Sequence, residues 1–496
     1  MNKKYILSID QGTTSSRAIL IDKFGQIIEK SSREINLITP KSGWIEADPI
    51  EIWLSVVECI NQVLIKSNTT FNDIDCIGIT NQRESVVAFD KFTGEPLYNC
   101  IIWQSRQSHE ICERFLDKEE FIFKKTGLKI NPYFSASKMI FILEYLRNVK
   151  KLPESYIQNN VYIGTIDSWL IYRFTNKKEF KTDVSNASRT MLYNINTFDY
   201  DDELLNLFNI KRNMLPKVQD SCSLFGYSDF FNTKVKITSV IGDQQAALFG
   251  HACFSKGDFK CTYGTGCFML LNIGKNIVFS KKGLLTSIGW KIKDEYCYVL
   301  EGSIFVGGAV IKWLRDNLKV IETASESENL ANEIKDDQQV YFVPAFVGLG
   351  TPYWNDDVRG TIYNISQNTT YKNIVKAGLE AIAYQVKDVF NVMHKDAKIK
   401  TNILKADGGA AENNYLMQFQ ADLLNMKVEV DNNLEMTSTG AAYLAGLYSG
   451  FFKSLDEVKK LNEIKKEYYC KMDEEKREKL YDGWKKAIKN AINYSK

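Results

Sequence analysis

The apolar positions of this chain switch between two rhythms, one residue in two and one in three or four, and each half opens on the first. YILSID reads as a buried strand, DQGTTSSR as a turn and AILID as the returning strand, with KFGQ turning the chain again. The glycine turn therefore joins two strands, unlike the strand-to-helix step of a Walker motif. DPIEIWLSVVECINQVLIKS follows with helical spacing: Trp53, Val56, Ile60 and Val63 share one face. Asp48 is placed to cap that helix, and Pro49 suits its first turn. DCIGIT is then a short buried strand, NQRE a polar turn, SVVAFD a second strand, and VKITSVIG a strand that runs directly into a helix beginning DQQAALFG.

Beyond about Gly250 the grammar restarts. FKCTYGTGCFMLLNIG is again strand, Gly-Thr turn, strand. Helices are expected at FVGGAVIKWLRDNL and at YKNIVKAGLEAIAYQVKDVFNVMH. The strand NILKA opens onto the turn DGGAAENN, and a helix (YLMQFQADLLN), a strand (KVEV) and a helix (STGAAYLAGLYSG) complete the unit. The tail from Lys453 to Lys496, rich in lysine and glutamate, reads as a solvated terminal helix. No repeat of 20 to 50 residues is visible. The pattern predicts two α/β domains, residues 1–249 and 250–496, with a cleft between them, a common place for ligands.

Composition narrows the class. The 496 residues exceed one typical domain, and 44% hydrophobic with 25% charged content is that of an ordinary globular protein. Lysine plus arginine number 63 against 61 acidic residues, a balance that argues against a nucleic-acid partner. No run approaches the ~18 apolar residues of a membrane span, and MNKKYILSIDQG has too short an apolar stretch for a secretory signal. Ten scattered cysteines without a CxxC pair fit reduced cytosolic thiols, so the expected setting is the cytoplasm. With only His109, His251 and His394, a zinc site or histidine-based triad is not expected.

The candidate chemistry lies in the turns. In Asp10-Gln11-Gly12-Thr13-Thr14-Ser15-Ser16-Arg17, glycine permits a tight turn whose amides could bind an anion. The hydroxyls and Arg17 add phosphate donors, and Asp10 could hold magnesium; the plain alternative is a hairpin built of turn formers. The second turn, Tyr263-Gly264-Thr265-Gly266, allows two such bends to close on one polyphosphate. Asp243 is either a helix N-cap or a carboxylate at a strand's carboxyl end, where open α/β sheets place ligands. Arg83 and Glu84 are either a solvated turn tip or a donor and acceptor for neighbouring hydroxyls of a small polyol. Asp407-Gly408-Gly409 is either an ordinary strand-to-helix turn or a point where backbone meets a flat ligand.

Taken together, LSIDQGTTSSRAIL, GWIEADPIEIW, ITNQRESVVAFD, IIWQSR, GDQQAALFG, YGTGCFMLLN, FVPAFVGLGTPYW, DGGAAENNYLMQFQADLL and STGAAYLAG resemble, in order from residue 7 to about residue 446, the FGGY family of carbohydrate kinases. The resemblance implies an α/β fold of two actin-like ATPase (ribonuclease H-like) domains flanking a central cleft. It also implies ATP-dependent phosphorylation of glycerol to sn-glycerol 3-phosphate. Carried over, its substrate contacts fall on Arg83, Glu84, Tyr133, Asp243 and Gln244, with Trp103 and Phe268 as aromatic walls. Its nucleotide contacts fall on Thr13, Thr14, Ser15, Arg17 and Thr265, and Gly308, Gly409 and Asn413 line the adenosine end. Lys312 stands near the nucleotide where glutamine is common. The resemblance implies Mg2+ near Asp10 and Asp243, Asp243 as general base, and a homodimer or homotetramer.

Where relatives controlled by fructose 1,6-bisphosphate carry a glycine-rich loop before GDQQ, this chain has SDFFNTKVK, so that control is not expected, nor is activation by histidine phosphorylation there. Phe141, where tryptophan is usual, reads as a packing substitution. The competing readings are a sibling kinase for xylulose or gluconate and a non-catalytic actin-like ATPase. A nicotinamide dehydrogenase would need a Gly-rich strand-to-helix turn that the N-terminal hairpin lacks.

Overall fold

The computed structural model describes residues 4–231, 233–334, 339–433 and 435–495. The start of the segment read as no signal and Asn232 of SDFFNTKVK lie outside the described residues. Two sheets organise the chain, and they share a plan. The first runs Cys222–Ser228, Val235–Gly242, Ile74–Asn81, Tyr5–Gln11, Ser15–Asp22, Ile27–Glu34. Its three central strands are parallel and the outer ones antiparallel. The second runs Ile464–Tyr468, Lys427–Asp431, Ile403–Asp407, Phe259–Tyr263, Cys267–Gly274, Glu295–Ile304, Leu285–Ile292. It repeats the sequence of parallel and antiparallel neighbours and adds one strand at the meander edge.

The register explains why chemistry collects at one edge. Gln11, Asn81 and Gly242 lie side by side across the three parallel strands. The chain just before or after each therefore emerges at the same carboxyl edge, bringing Asp10, Arg83 and Asp243 together although the sequence scatters them. In the second sheet Thr262 pairs with Asp407, which aligns the Thr265 turn with Gly408 and Gly409. A separate antiparallel sheet ordered Leu37–Ile38, Glu46–Ala47, Cys100–Ile101, Val86–Asp90, Val161–Thr165 flanks the first half and delivers Trp103.

The halves are joined through the helix Met436–Ser449. Hydroxyls of the first sheet donate to its carbonyls: Ser8 to Ser438 (2.6 Å), Ser239 to Ala441 (2.7 Å) and Thr238 to Ala445 (3.0 Å). It crosses the helix Asp243–Gly250 so closely that a Cβ on Gly440 would lie 1.9 Å from the Ala246 carbonyl oxygen.

The helix Pro49–Lys66 forms as expected, with the Asp48 carboxylate accepting from the Ile50 amide at 2.8 Å. Phe141 packs edge-on to Trp44 at 5.3 Å. The tail differs from its expected form. Ile464–Tyr468 joins the second sheet, and the helix Glu474–Tyr494 buries Trp484, whose indole donates to Asp388 at 2.7 Å. Tyr481 of the same helix also donates to Asp388, at 2.6 Å, so lysine and glutamate on the exposed face masked two anchoring aromatics.

Candidate active site

Arg83 and Glu84 are no solvated tip: they are 3% and 1% exposed. The turn that carries them is strained, with Glu84 at φ +64° and the Ser85 amide donating to the Arg83 carbonyl at 2.7 Å. Such three-residue turns with positive φ cost roughly 1–3 kcal/mol and persist only where the surroundings impose them. Arg83 donates from both terminal nitrogens to Glu301, at 2.6 and 3.0 Å, and to Gln245 at 3.1 Å, while its Nε lies 3.0 Å from Asp243. Gly242 makes room for it, since a Cβ there would sit 2.7 Å from the Arg83 side chain. Glu84 accepts from Arg189 at 2.6 Å, and Arg189 also reaches Glu301 at 3.2 Å.

The result is a buried array of two arginines and two carboxylates, Glu84 and Glu301, with the partly exposed Asp243 at its edge. Burial opposes ionisation of Glu301, but Arg189 and Arg83 outweigh it and hold its pKa down to about 2. Burial raises the pKa of Glu84, with Arg189 and Arg83 pulling the other way. Pairing of this kind is what allows charges to stay in an interior.

Asp243 is the first residue inside its helix; the cap position belongs to Gly242. One carboxylate oxygen accepts from the Gln244 amide at 2.7 Å, and the side chain keeps 28% exposure. Burial raises its pKa, opposed chiefly by Arg83. Gln244 accepts from Lys260, a buried lysine on the first strand of the second half, at 2.6 Å.

The aromatic walls converge. Trp103 meets Tyr133 edge-on at 5.4 Å and Phe268 at 6.3 Å, and its indole donates to Thr13 at 2.8 Å. Trp103 thus touches the first hairpin and the strand leaving the second, which places both bends on one crevice.

The nucleotide-side candidates are more open. Thr14 and Thr265 are exposed. Gly308 packs on the second bend, its amide donating to the Gly264 carbonyl at 2.8 Å. Gly408 (φ +86°) lies against Tyr263, where a Cβ would come within 2.6 Å of the carbonyl oxygen, whereas a Cβ on Gly409 would meet nothing within 4 Å. Of three further candidates, two already have partners and the third is exposed. Arg17 lies in the strand opposite Asp10, and its guanidinium is paired with Glu435 at 2.5 Å. Asn413 caps the helix Asn414–Leu424 by accepting from the Leu416 amide and donates to Ser327 at 3.2 Å. Lys312 is exposed on the helix Ala309–Asp316.

No group of three or more acidic, histidine or cysteine side chains suited to a metal is gathered among the described residues. Asp10 and Asp243 nonetheless suit magnesium, which takes one or two carboxylates and completes its shell with phosphates and water. Burial lifts the Asp10 pKa to about 7, with Asp243 adding to the rise and Arg17 opposing it, so a cation beside the pair would relieve the repulsion.

The sequence reading missed Arg189, Glu301 and Lys260. Each had a faint signal: Glu301 and Lys260 are lone charges in otherwise apolar strands, YVLEGSI and FKCTY, and a charge in such a setting needs a partner.

Two like-built domains, two polar bends on one crevice and a carboxylate beside buried charge define a two-domain phosphotransferase of the actin-like type. The chain belongs to the FGGY family of carbohydrate kinases: its N-terminal domain matches residues 5–250 and its C-terminal domain residues 259–448. It is 48% identical to glycerol kinase 2 of Thermotoga maritima, over 99% of this chain and 100% of that one. It is likewise 48% identical to the glycerol kinase of Listeria welshimeri, over 99% of each chain. Among solved structures, glycerol kinase from Plasmodium falciparum with ADP superposes with a TM-score of 0.91 at 38% identity, covering 99% of each chain.

Proposed function

We propose that this enzyme transfers the γ-phosphoryl group of ATP to a terminal hydroxyl of glycerol, giving sn-glycerol 3-phosphate. The observation that carries the reading is the Arg83–Glu84 pair, immobilised by Glu301 and Arg189 beside the Trp103, Tyr133 and Phe268 rings. A fixed donor and acceptor grip adjacent hydroxyls, and the rings cover a short carbon backbone. A site whose buried polar groups are left unpaired by the wrong substrate rejects it strongly, by about 10⁴-fold in favourable cases.

Phosphoryl transfer asks mainly for positioning and charge neutralisation. In this reading Arg83, Glu84 and Gln244 orient the acceptor, and Asp243 takes its hydroxyl proton. Thr13, Thr14, Ser15, Arg17 and Thr265 hold phosphate oxygens, with Gly308, Lys312, Gly409 and Asn413 at the adenosine end. Mg2+ held by Asp10 and Asp243 would neutralise phosphate charge. Arg17 must then share or leave Glu435 when phosphate arrives.

The proposal also takes residues 1–249 and 250–496 as the two domains, a homodimer or homotetramer as the assembly, and the cytoplasm as the setting. Among the described residues no helix is long and apolar enough to cross a membrane. Coupled ADP release over glycerol, xylulose, gluconate and no acceptor tests the reading. Glycerol should give at least a hundredfold higher kcat/KM than either sugar acid or ketose; a preference for xylulose or gluconate, or turnover indifferent to acceptor, would overturn it.

A further inference from the structure

Lys138 is fully buried in the first turn of the helix Ser135–Asn148. Its ammonium turns back on the preceding segment and donates to three main-chain carbonyls, those of Pro132 (2.6 Å), Tyr133 (2.6 Å) and Phe134 (3.1 Å). An ammonium has three N–H groups, and here each has one acceptor. The carbonyls of Pro132 and Tyr133 lie ahead of the helix and obtain no partner from its ladder, so without Lys138 the buried Pro132 carbonyl and the part-buried Tyr133 carbonyl would lose the partner they have. The ionisable groups around the ammonium are Glu84, Cys100 and Cys112, none of them paired with it directly. Burial pulls the Lys138 pKa down to about 7, and an ammonium solvated only by neutral main-chain carbonyls carries a desolvation cost that a leucine or methionine would avoid. That cost calls for a role beyond filling space.

The clamped segment leads directly to the acceptor side of the cleft. Tyr133 meets Trp103 at 5.4 Å, and the Arg189 guanidinium stands 5.7 Å over its ring. Asn131 holds the entry to the turn by accepting from the Tyr133 amide at 2.9 Å. On the exit side the Ser135 hydroxyl donates to the Glu84 carbonyl at 3.0 Å, and the Ala136 amide donates to the Thr190 carbonyl at 2.9 Å. The segment thus touches the strained Glu84 turn and the neighbour of Arg189.

We propose that Lys138 is a positioning residue for the acceptor: by fixing the Pro132–Phe134 carbonyls it sets the Tyr133 ring and the Glu84 turn against a short polyol, with no part in holding the nucleotide. This deepens the glycerol reading and rests on it. The test compares wild type with Lys138→Met, which keeps length and loses the donors, and with Lys138→Gln, which restores two donors on a shorter stem. In Lys138→Met the glycerol KM should rise at least tenfold, while the ATP KM and kcat at saturating glycerol stay within about threefold. Lys138→Gln should recover part of the loss, and Lys138→Met combined with Tyr133→Ala should lose less than the product of the single effects.

A folded Lys138→Met with glycerol KM within twofold of wild type overturns the inference, as does an ATP KM that rises in step. If Lys138→Met fails to fold, Lys138→Gln is judged by the same two constants. A wild-type chain without glycerol-stimulated ADP release would overturn the acceptor reading and this inference together. An active wild type with an unmoved variant overturns the inference alone.

Discussion

The two sides of the cleft are built by opposite means. On the side proposed for the acceptor, Arg83, Glu84, Arg189 and Glu301 are almost sealed from water and hold one another through charged hydrogen bonds. On the side proposed for the nucleotide, glycine backbone does the shaping: Gly308 on Gly264 and Gly408 on Tyr263 bring main chains together, while Thr14, Thr265 and Lys312 stay exposed. The difference teaches how one cleft meets two demands. A small neutral polyol offers few handles, so its contacts must be rigid in advance. A polyphosphate brings its own charge and length, so more open bends would be enough to receive it.

The strongest test of this division falls on the group between the two sides. Asp243→Asn should lower kcat by about 10²–10⁴-fold, since a general base typically contributes that much, with KM shifts superposed because the same carboxylate is read as holding Mg2+; steady-state kinetics decide it, and near wild-type turnover would put the base elsewhere. Next in size, Glu301→Gln leaves Arg83 and Arg189 short of a counter-charge without touching substrate. It should raise the glycerol KM about a hundredfold, leave the ATP KM within threefold, and cost roughly 3–5 kcal/mol in chemical denaturation, as breaking one partner of a buried pair does. Equal effects on both substrates would erase the division.

The converse change is Gly408→Ala. It forces a Cβ to within 2.6 Å of the Tyr263 carbonyl at a positive φ. The ATP KM should rise about tenfold with the glycerol KM nearly constant, given strain of roughly 1–3 kcal/mol.

The smallest effect concerns His251, buried between Asp407 (3.3 Å) and Asp431 (2.5 Å) under the nucleotide side. Burial opposes its charge, but Asp407 and Asp431 hold the imidazolium and raise the pKa to about 9. A raised histidine stabilises the fold fully below its unfolded pKa of about 6.5 and loses that contribution as pH climbs through the folded value. Stability should therefore fall between pH 6.5 and about 9, by something on the order of 2 kcal/mol, and His251→Gln should flatten the profile. A flat wild-type profile across that window would contradict the charged state.

Much of the fold was legible because periodicity is a local property. The strand-turn-strand openings, the helix capped by Asp48 and the strand running into the Asp243 helix each follow from residues within one element. The nomination of Arg83, Glu84 and Asp243 came partly from position at strand ends, which the chain order reveals. The terminal helix keeps its lysine- and glutamate-rich face in water as expected, but that face says nothing about the other, where Trp484, Ala487, Ile488 and Ala491 are buried.

Within the sequence alone lay the element types, the polar bends and the kinds of group available to react. Which of those groups meet was settled by register and sheet order: Arg83 finds Glu301 across 218 residues and Glu84 finds Arg189 across 105. Charge pairing in an interior depends on distances of a few ångströms, and one-dimensional spacing carries no information about distance between strands. The same holds for burial: the turn that could have been a solvated tip carries Arg83 and Glu84 almost sealed from water.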